Sequence, residues 1–427
     1  MKNLKRILSI IIVCVTVLSL PACGGNDDID YTATPVPEIT YTAIPKITPK
    51  PVTPSPTKTP RPTREPTPTP APTKSSDEYL AYLADTYKDY KEVPYGLDIT
   101  KKIDLVGICY STWFTAIRES GIYHDKTISD ILAENGTWGK ESHFHYWAEP
   151  ELGFYTSEDK SVIRTHMTQL SEMGVDYIIV DNTNVQLQWK NNKDWLRFVT
   201  KPGNALLDTI VEMRAEGKKT PYVVFWNKTN DGQNWDVVNA VYEEFHTVEK
   251  WKDCFVYWEG KPFMLTTSHV TESSPKYEIT TRMQWGLDRS LGISEWSFLN
   301  IENKACRDEN NFFEQICVCT AAQESYMSDL NTAHGRNHGI FMYEQWKNAF
   351  EYRPKTITIT WWNEWCAQLF LDDNGNQRFV DNYNYEYSRD IEPVKGGHGD
   401  QYYQWTKQYI SAYKNHKDCP RLVEAGY

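Results

Sequence analysis

The chain has 427 residues and a formal charge of −12, and of its 23 prolines 13 fall between Pro35 and Pro72 and nine beyond Lys74. Residues 1–77 sum to +3, which leaves −15 for residues 78–427. This excludes a uniform globule, and the acidic balance argues against nucleic acid as a partner, because phosphate binding needs a basic face. Three parts follow: residues 1–22, 23–77 and 78–427.

Lys2, Lys5 and Arg6 precede an apolar run over 7–20 that is too short to cross a bilayer, so it reads as a secretory leader. The run ends in Leu20-Pro21-Ala22-Cys23, which resembles a bacterial lipobox. The resemblance implies cleavage before Cys23 and a lipid anchor on its thiol, placing the mature protein on the extracellular face of the cell membrane. An ordinary leader with a chance cysteine is the alternative. Residues 31–76 are built of Thr-Pro, Lys-Pro and Ser-Pro steps that cannot pack. They predict a disordered, extended linker with a reach on the order of 100 Å.

Seven cysteines remain (Cys109, Cys254, Cys306, Cys317, Cys319, Cys366 and Cys419), an odd number without regular spacing. That predicts buried free thiols, not a disulfide framework. Cys317-Val-Cys319 has no second pair with which to build a zinc site.

After an amphipathic stretch at 79–90, apolar runs alternate with helical patterns. Strands are predicted at 103–110, 177–180, 222–226, 262–267, 280–285, 295–299, 315–321 and 356–361. Helices are predicted at 161–173, 205–214, 235–245, 339–350 and 405–413. Residues 255–258 pair with the fourth strand through a turn at Glu259-Gly260-Lys261. Such alternation predicts an α/β fold with a parallel sheet, namely a (β/α)8 TIM barrel, with a doubly wound open sheet as the alternative.

In a barrel the chemistry lies at the C-terminal strand ends. Those ends carry Ser111-Thr112-Trp113, Asp181-Asn182, Trp226-Asn227, Gln284-Trp285, Glu295-Trp296, Gln323-Glu324 and Trp361-Trp362-Asn363-Glu364-Trp365. Indoles with amides and carboxylates suit sugars, whose flat faces stack and whose hydroxyls need polar partners. No Gly-rich phosphate loop stands there. Glycoside hydrolysis needs two carboxyl groups. Glu364, held between tryptophans, is the first candidate, with desolvation favouring an acid role; a salt-bridged rim glutamate is the bland alternative. Asp181 and Glu324 are alternatives for the second. Asp390 and Glu392 come into range if their loop folds over the rim. Glu259 is set aside, since its turn belongs to the opposite face.

Sugar contacts are expected from Trp113, His143, His145, Trp226, Asn227, Trp285, Trp296, Trp362, Asn363, Asp390 and Glu392. His143 and His145 lack a third metal ligand nearby and read as part of a sugar-contacting loop, with loop packing as the alternative. His334 and His338 lack the glutamate of a zinc-protease motif. Asp372-Asp373-Asn374-Gly375-Asn376 suits a turn better than a calcium loop.

Several motifs together resemble glycoside hydrolase family 99 and its relative family 71. They are Glu151-Leu-Gly-Phe-Tyr155, Val162-Ile-Arg-Thr-His166 leading to Gly174-Val-Asp-Tyr-Ile-Ile-Val180, Thr360-Trp-Trp-Asn-Glu-Trp365 and Ile391-Glu392-Pro393. The resemblance spans about residues 100–415. It implies a (β/α)8 barrel, endo-acting cleavage of an α-linked polysaccharide, and no catalytic metal or cofactor. It carries over Glu364 but not its partner, because Ala367 stands where the family has its second glutamate. Two expectations result: a monomeric, surface-tethered glycoside hydrolase, or a catalytically silent glycan-binding lipoprotein.

Overall fold

The computed structural model describes residues 75–116, 123–127, 144–230, 232–271, 273–286, 291–323, 333–371, 375, 377–379 and 384–427, with no side chains at 115–116, 123–127 and 377–379. The leader, Cys23, the Pro/Thr-rich stretch, His143, Glu324 and residues 372–374 lie outside them. Among the described residues no helix is long and apolar enough to cross a membrane.

The principal strands are β1 (Leu105–Tyr110), β2 (Tyr177–Asn182), β3 (Tyr222–Asn227), β4 (Lys261–Thr266), β5 (Thr280–Gln284), β6 (Glu295–Trp296), β7 (Phe313–Cys319) and β8 (Thr356–Thr360). They pair in parallel in the order β7-β8-β1-β2-β3-β4-β5-β6. Between them run α2 (Lys160–Met173), α3 (Lys201–Ala215), α4 (Asp236–Val241) and α5 (Ile340–Tyr352), with α1 (Ser76–Thr86) before β1 and α6 (Gln401–Lys414) after β8. This is a TIM-barrel-like α/β arrangement.

The β6 strand is shorter than the five residues expected over 295–299, for a reason visible at its end. Ser297 does not continue a backbone ladder with β7. Its N–H donates to Gln315 Oε1 at 2.9 Å, and its carbonyl accepts from Gln315 Nε2 at 2.9 Å and from Gln284 Nε2 at 3.2 Å. A β7 side chain thus does the work of a ladder where β6 and β7 meet, satisfying backbone groups that burial would otherwise leave unpaired.

Strand alternation sorts the buried side chains into two sets. Leu105, Cys109, Tyr177, Ile179, Val224, Trp226, Leu265, Cys317 and Cys319 pack together inside the sheet. Val106, Ile108, Tyr110, Ile178, Val180, Val223, Phe225 and Ile359 pack outward against Ile163, Met167, Leu170, Leu206, Ile210, Val238, Trp346 and Tyr409 of the helices. Gly107 is required on β1, because a Cβ there would stand 2.3 Å from the Tyr177 ring. The helix α2 begins at Asp159, whose side chain accepts from Ser161 N, and ends at Gly174 in the left-handed region with φ of 92°.

The opposite face is closed by the stretch leading from α1. Lys355, buried just before β8, donates from Nζ to the carbonyls of Ile99 at 2.6 Å, Thr100 at 3.2 Å and Lys102 at 2.6 Å. Tyr87 OH donates to Glu259, which stands in the turn before β4 and hence on this face.

After α4 the chain continues through a wider helical turn, Tyr242–His246. It carries His246 into an aromatic cage, with ring centroids 3.9 Å from Phe255 and 5.4 Å from Tyr242. Both ring nitrogens are buried without a hydrogen-bond partner. Burial alone pushes this imidazole down to about 3. The folded value lies below the ordinary value near 6.5, so the unfolded chain binds the extra proton, and stability falls as pH drops below 6.5 toward 3. At pH 5 this contributes about 2 kcal/mol of destabilisation relative to pH 7. His246→Phe is expected to remove that share of the pH slope in urea unfolding; an unchanged slope would contradict it.

Candidate functional site

The alternation that builds the barrel also aims its rim. On β2, Asp181 continues the inward row of Tyr177 and Ile179, and on β3, Trp226 does the same. Asp181 Oδ1 accepts from Thr183 N at 2.8 Å, and its carbonyl accepts from Trp113 Nε1 at 3.2 Å. On the other side of β1 stands the end of β8. Here Asn363 acts as an extra ladder rung, with Oδ1 accepting from Ser111 N at 2.8 Å and Nδ2 donating to Ser111 O at 3.2 Å. Asn363 Nδ2 also donates to Tyr155 OH at 3.2 Å. This rung fixes the turn from which Glu364 projects.

Asp181 and Glu364 therefore flank the end of β1, two strand spacings apart, which is about 10 Å between backbones. The buried Cys109 thiol on β1 is pushed well up, chiefly by its burial.

The residues around Glu364 come from the segment of Asp390 and Glu392, expected in range if it folds over the rim; it is buried instead. Ser388, Arg389, Asp390, Ile391 and Glu392 are all fully buried. Trp361 N donates to Arg389 O at 3.3 Å, and Trp362 O accepts from Ile391 N at 3.1 Å and from Glu392 N at 3.0 Å. Arg389 Nη2 donates to Glu364 Oε2 at 2.6 Å, and Nη1 donates to Gln323 Oε1 at 2.7 Å. Asp390 Oδ1 accepts from Glu364 N, and Oδ2 accepts from Trp147 Nε1 at 2.9 Å. Burial pushes the Asp390 carboxyl up to about 7, against the opposing pull of Trp147 and Arg336.

Glu364 itself keeps 18% of its side chain exposed. The expectation of a desolvated acid between tryptophans is corrected here: the carboxylate is ion-paired to a buried guanidinium, which favours its charged form. A salt-bridged glutamate was the bland alternative, yet this one is not spent on the surface, because its partner is wholly internal.

The expected sugar contacts divide. Trp226 and the half-buried Trp285 meet edge to face with ring centroids 5.7 Å apart, and both pack near Phe298, at 5.0 and 6.4 Å. Trp361 adds to this group, 5.7 Å from Phe298. Trp113 stands at the rim in a second group, 6.4 Å from Trp189 and 4.9 Å from Phe198.

Other residues are turned away or enclosed. Trp296 donates from Nε1 to Glu314 Oε1 at 2.6 Å, near the opposite end of β7. Trp362 faces α2 and α6, with its ring 5.6 Å from His166 and 6.2 Å from Tyr403. Asn227 follows the inward Trp226, so period two sends it outward, where Nδ2 donates to Phe225 O at 3.2 Å. Asn363, Asp390 and Glu392 are buried and hold protein groups. All six are buried, and this burial, not the residue type, is what removes them from direct sugar contact.

His145 is buried on the strand Phe144–Tyr146, opposite Ala367 of the strand Cys366–Leu371. Ala367 packs with Phe114, Tyr146 and Trp147. Among the described residues no group of three or more His, Cys, Asp or Glu could hold a metal ion.

Sequence reasoning missed Arg389 and the buried chain of Tyr110, His166 and Tyr155 that serves Glu392. The signals were present: Arg389 adjoins the Asp-Ile-Glu run, and His166 sits on the apolar face of α2 beside Ile163, Met167 and Leu170.

No protein-family model matches the chain, and no curated protein is found similar to it by sequence. Among solved structures, the GH99 endo-alpha-mannosidase from Bacteroides thetaiotaomicron is similar over 73% of this chain and 98% of its own, at 14% identity and a TM-score of 0.47. A glycoside hydrolase-like protein is similar over 77% of this chain and 99% of its own, at 12% identity and a TM-score of 0.43.

Proposed function

We propose that this protein is a glycoside hydrolase with a (β/α)8 barrel, cleaving a polysaccharide or oligosaccharide with Glu364 and Asp181 as its paired carboxylates. The observation that carries this is the placement of the two acids on either side of β1. Asp181 continues the inward row of β2, and the buried Arg389 holds the Glu364 carboxylate at the end of β8. Such a pair works with its carboxyl groups about 5–10 Å apart, which two neighbouring strand spacings accommodate. The ion pair suits Glu364 to the ionised role, attacking the anomeric carbon or activating water. Asp181 then delivers the proton to the leaving oxygen. The half-buried Trp285 offers a ring face to the sugar, backed by the buried Trp226 and Phe298. The lipobox and linker would hold this barrel, as a monomer, off the outer face of a bacterial membrane, where bulky, endo-cleaved glycan is reached.

A glycan-binding protein without turnover is the second reading, and Ala367 favours it. The position of the second glutamate in the family resemblance is here buried among aromatic rings. Release of reducing ends from defined plant, fungal and host polysaccharides separates the two. Turnover on at least one substrate is expected; calorimetric binding without reducing ends across the whole panel would overturn the hydrolase reading.

A further inference from the structure

We infer that Arg389 is the positioning residue of this site, holding Glu364 in its charged form and in one rotamer; this rests on the hydrolase reading above. Three observations carry it. The guanidinium is fully buried, so it cannot swing to solvent and leave the glutamate alone. Its two terminal nitrogens are divided, Nη1 to Gln323 in the short strand Ala322–Gln323 that follows β7 and Nη2 to Glu364 just past β8, so one fork ties the segments after β7 and β8 together. The residue next to it, Asp390, grips the other side of Glu364 by accepting from its backbone N–H. The dipeptide Arg389-Asp390 therefore sets both the charge and the direction of one carboxylate.

Arginine fits this role where lysine does not. Its charge does not titrate in the working range, and its planar fork reaches two acceptors at fixed angles. Its described neighbours differ in kind. Asp390 and Asp181 are acids, the Cys109 and Cys366 thiols are held neutral by burial, and Arg336 reaches Asp390 only at its carbonyl, 2.8 Å away. Removing Arg389 takes a buried positive charge away from Glu364 Oε2.

The test is the pH profile of kcat/KM for the full chain and for Arg389→Met, Arg389→Lys, Gln323→Met and Glu364→Gln, each checked for folding by circular dichroism. In Arg389→Met the acid limb should move up by about 1 to 3 pH units, with part of the rate recovered at high pH. Arg389→Lys should move it less, since the charge remains and the fork is lost. Gln323→Met should lower the rate at every pH with little movement of the limb. A purely structural role lowers the rate without moving the limb. If Arg389→Met does not fold, Arg389→Lys decides. An unmoved limb in the folded arginine variants, with Glu364→Gln inactive, overturns the inference and leaves the hydrolase reading standing. Turnover that survives Glu364→Gln, or is absent from the unaltered protein, overturns the hydrolase reading and the inference with it.

Discussion

Glu364→Gln is expected to lower kcat/KM by about 1,000-fold or more while leaving the fold intact. The two halves of that expectation have separate physical grounds. Glutamine is nearly isosteric, its amide oxygen can still accept from Arg389 Nη2, and the backbone N–H of residue 364 still reaches Asp390. The scaffold therefore loses little. The chemistry loses the charge, since an amide neither attacks an anomeric carbon nor takes a proton from water. Asp181→Asn should cost a comparable factor for the converse reason, having no proton to give. The double variant should lose far less than the product of the two factors, because groups that act as one unit do not add. Reducing-end assays on the best substrate of the panel, with unfolding curves beside them, check this. A wild-type rate in either single variant would remove that residue from the pair.

The largest effect on stability is expected at Glu392. Its Oε2 accepts from Tyr155 OH at 2.7 Å and Trp365 Nε1 at 2.5 Å, while Oε1 pairs with His166 Nε2 at 2.8 Å. His166 Nδ1 in turn lies 2.9 Å from Tyr110 OH. All of these groups are buried. Glu392→Ala leaves three buried polar partners unmatched and should cost about 4 kcal/mol in urea unfolding.

Glu392→Gln should cost far less, about 1 kcal/mol, because the histidine can adapt. The glutamine oxygen keeps Tyr155 and Trp365, and its NH2 donates to Nε2 once the His166 proton has moved to Nδ1. That nitrogen then donates to Tyr110 in place of accepting from it. Equal losses in the two variants would contradict this rearrangement.

Both expectations depend on a part of the chain that was only half legible. The barrel itself was open to reading, because its strands announce themselves. Runs such as IDLVGICY and TITITW, with period-3.6 stretches between them, leave few ways to bury so much apolar surface. The observed β1 and β8 lie inside the predicted ranges, while β2 and β3 extend one or two residues further to take in Asp181, Asn182 and Asn227. β6 resisted because its neighbour on β7 is bridged by the Gln315 side chain, and no local pattern encodes a rung supplied from eighteen residues away.

The site was less legible for the same reason. Sequence placed tryptophans, amides and acids at the strand ends but not their facing. Once a strand leaves its ladder, alternation no longer predicts which side a residue takes. Hence Trp361 joins the inner group and Trp362 the outer one, and Trp296 turns toward Glu314. Composition and spacing were enough to determine a TIM-barrel-like α/β class, and the Asn-Glu-Trp motif singled out Glu364 as the candidate. Only the tertiary structure could bring Arg389 within 2.6 Å of it, across twenty-five positions of chain. Side-chain pairing at that range follows from how the Ser388–Glu392 stretch packs beneath the rim, and burial of charge is a property of the folded surroundings, not of the residue.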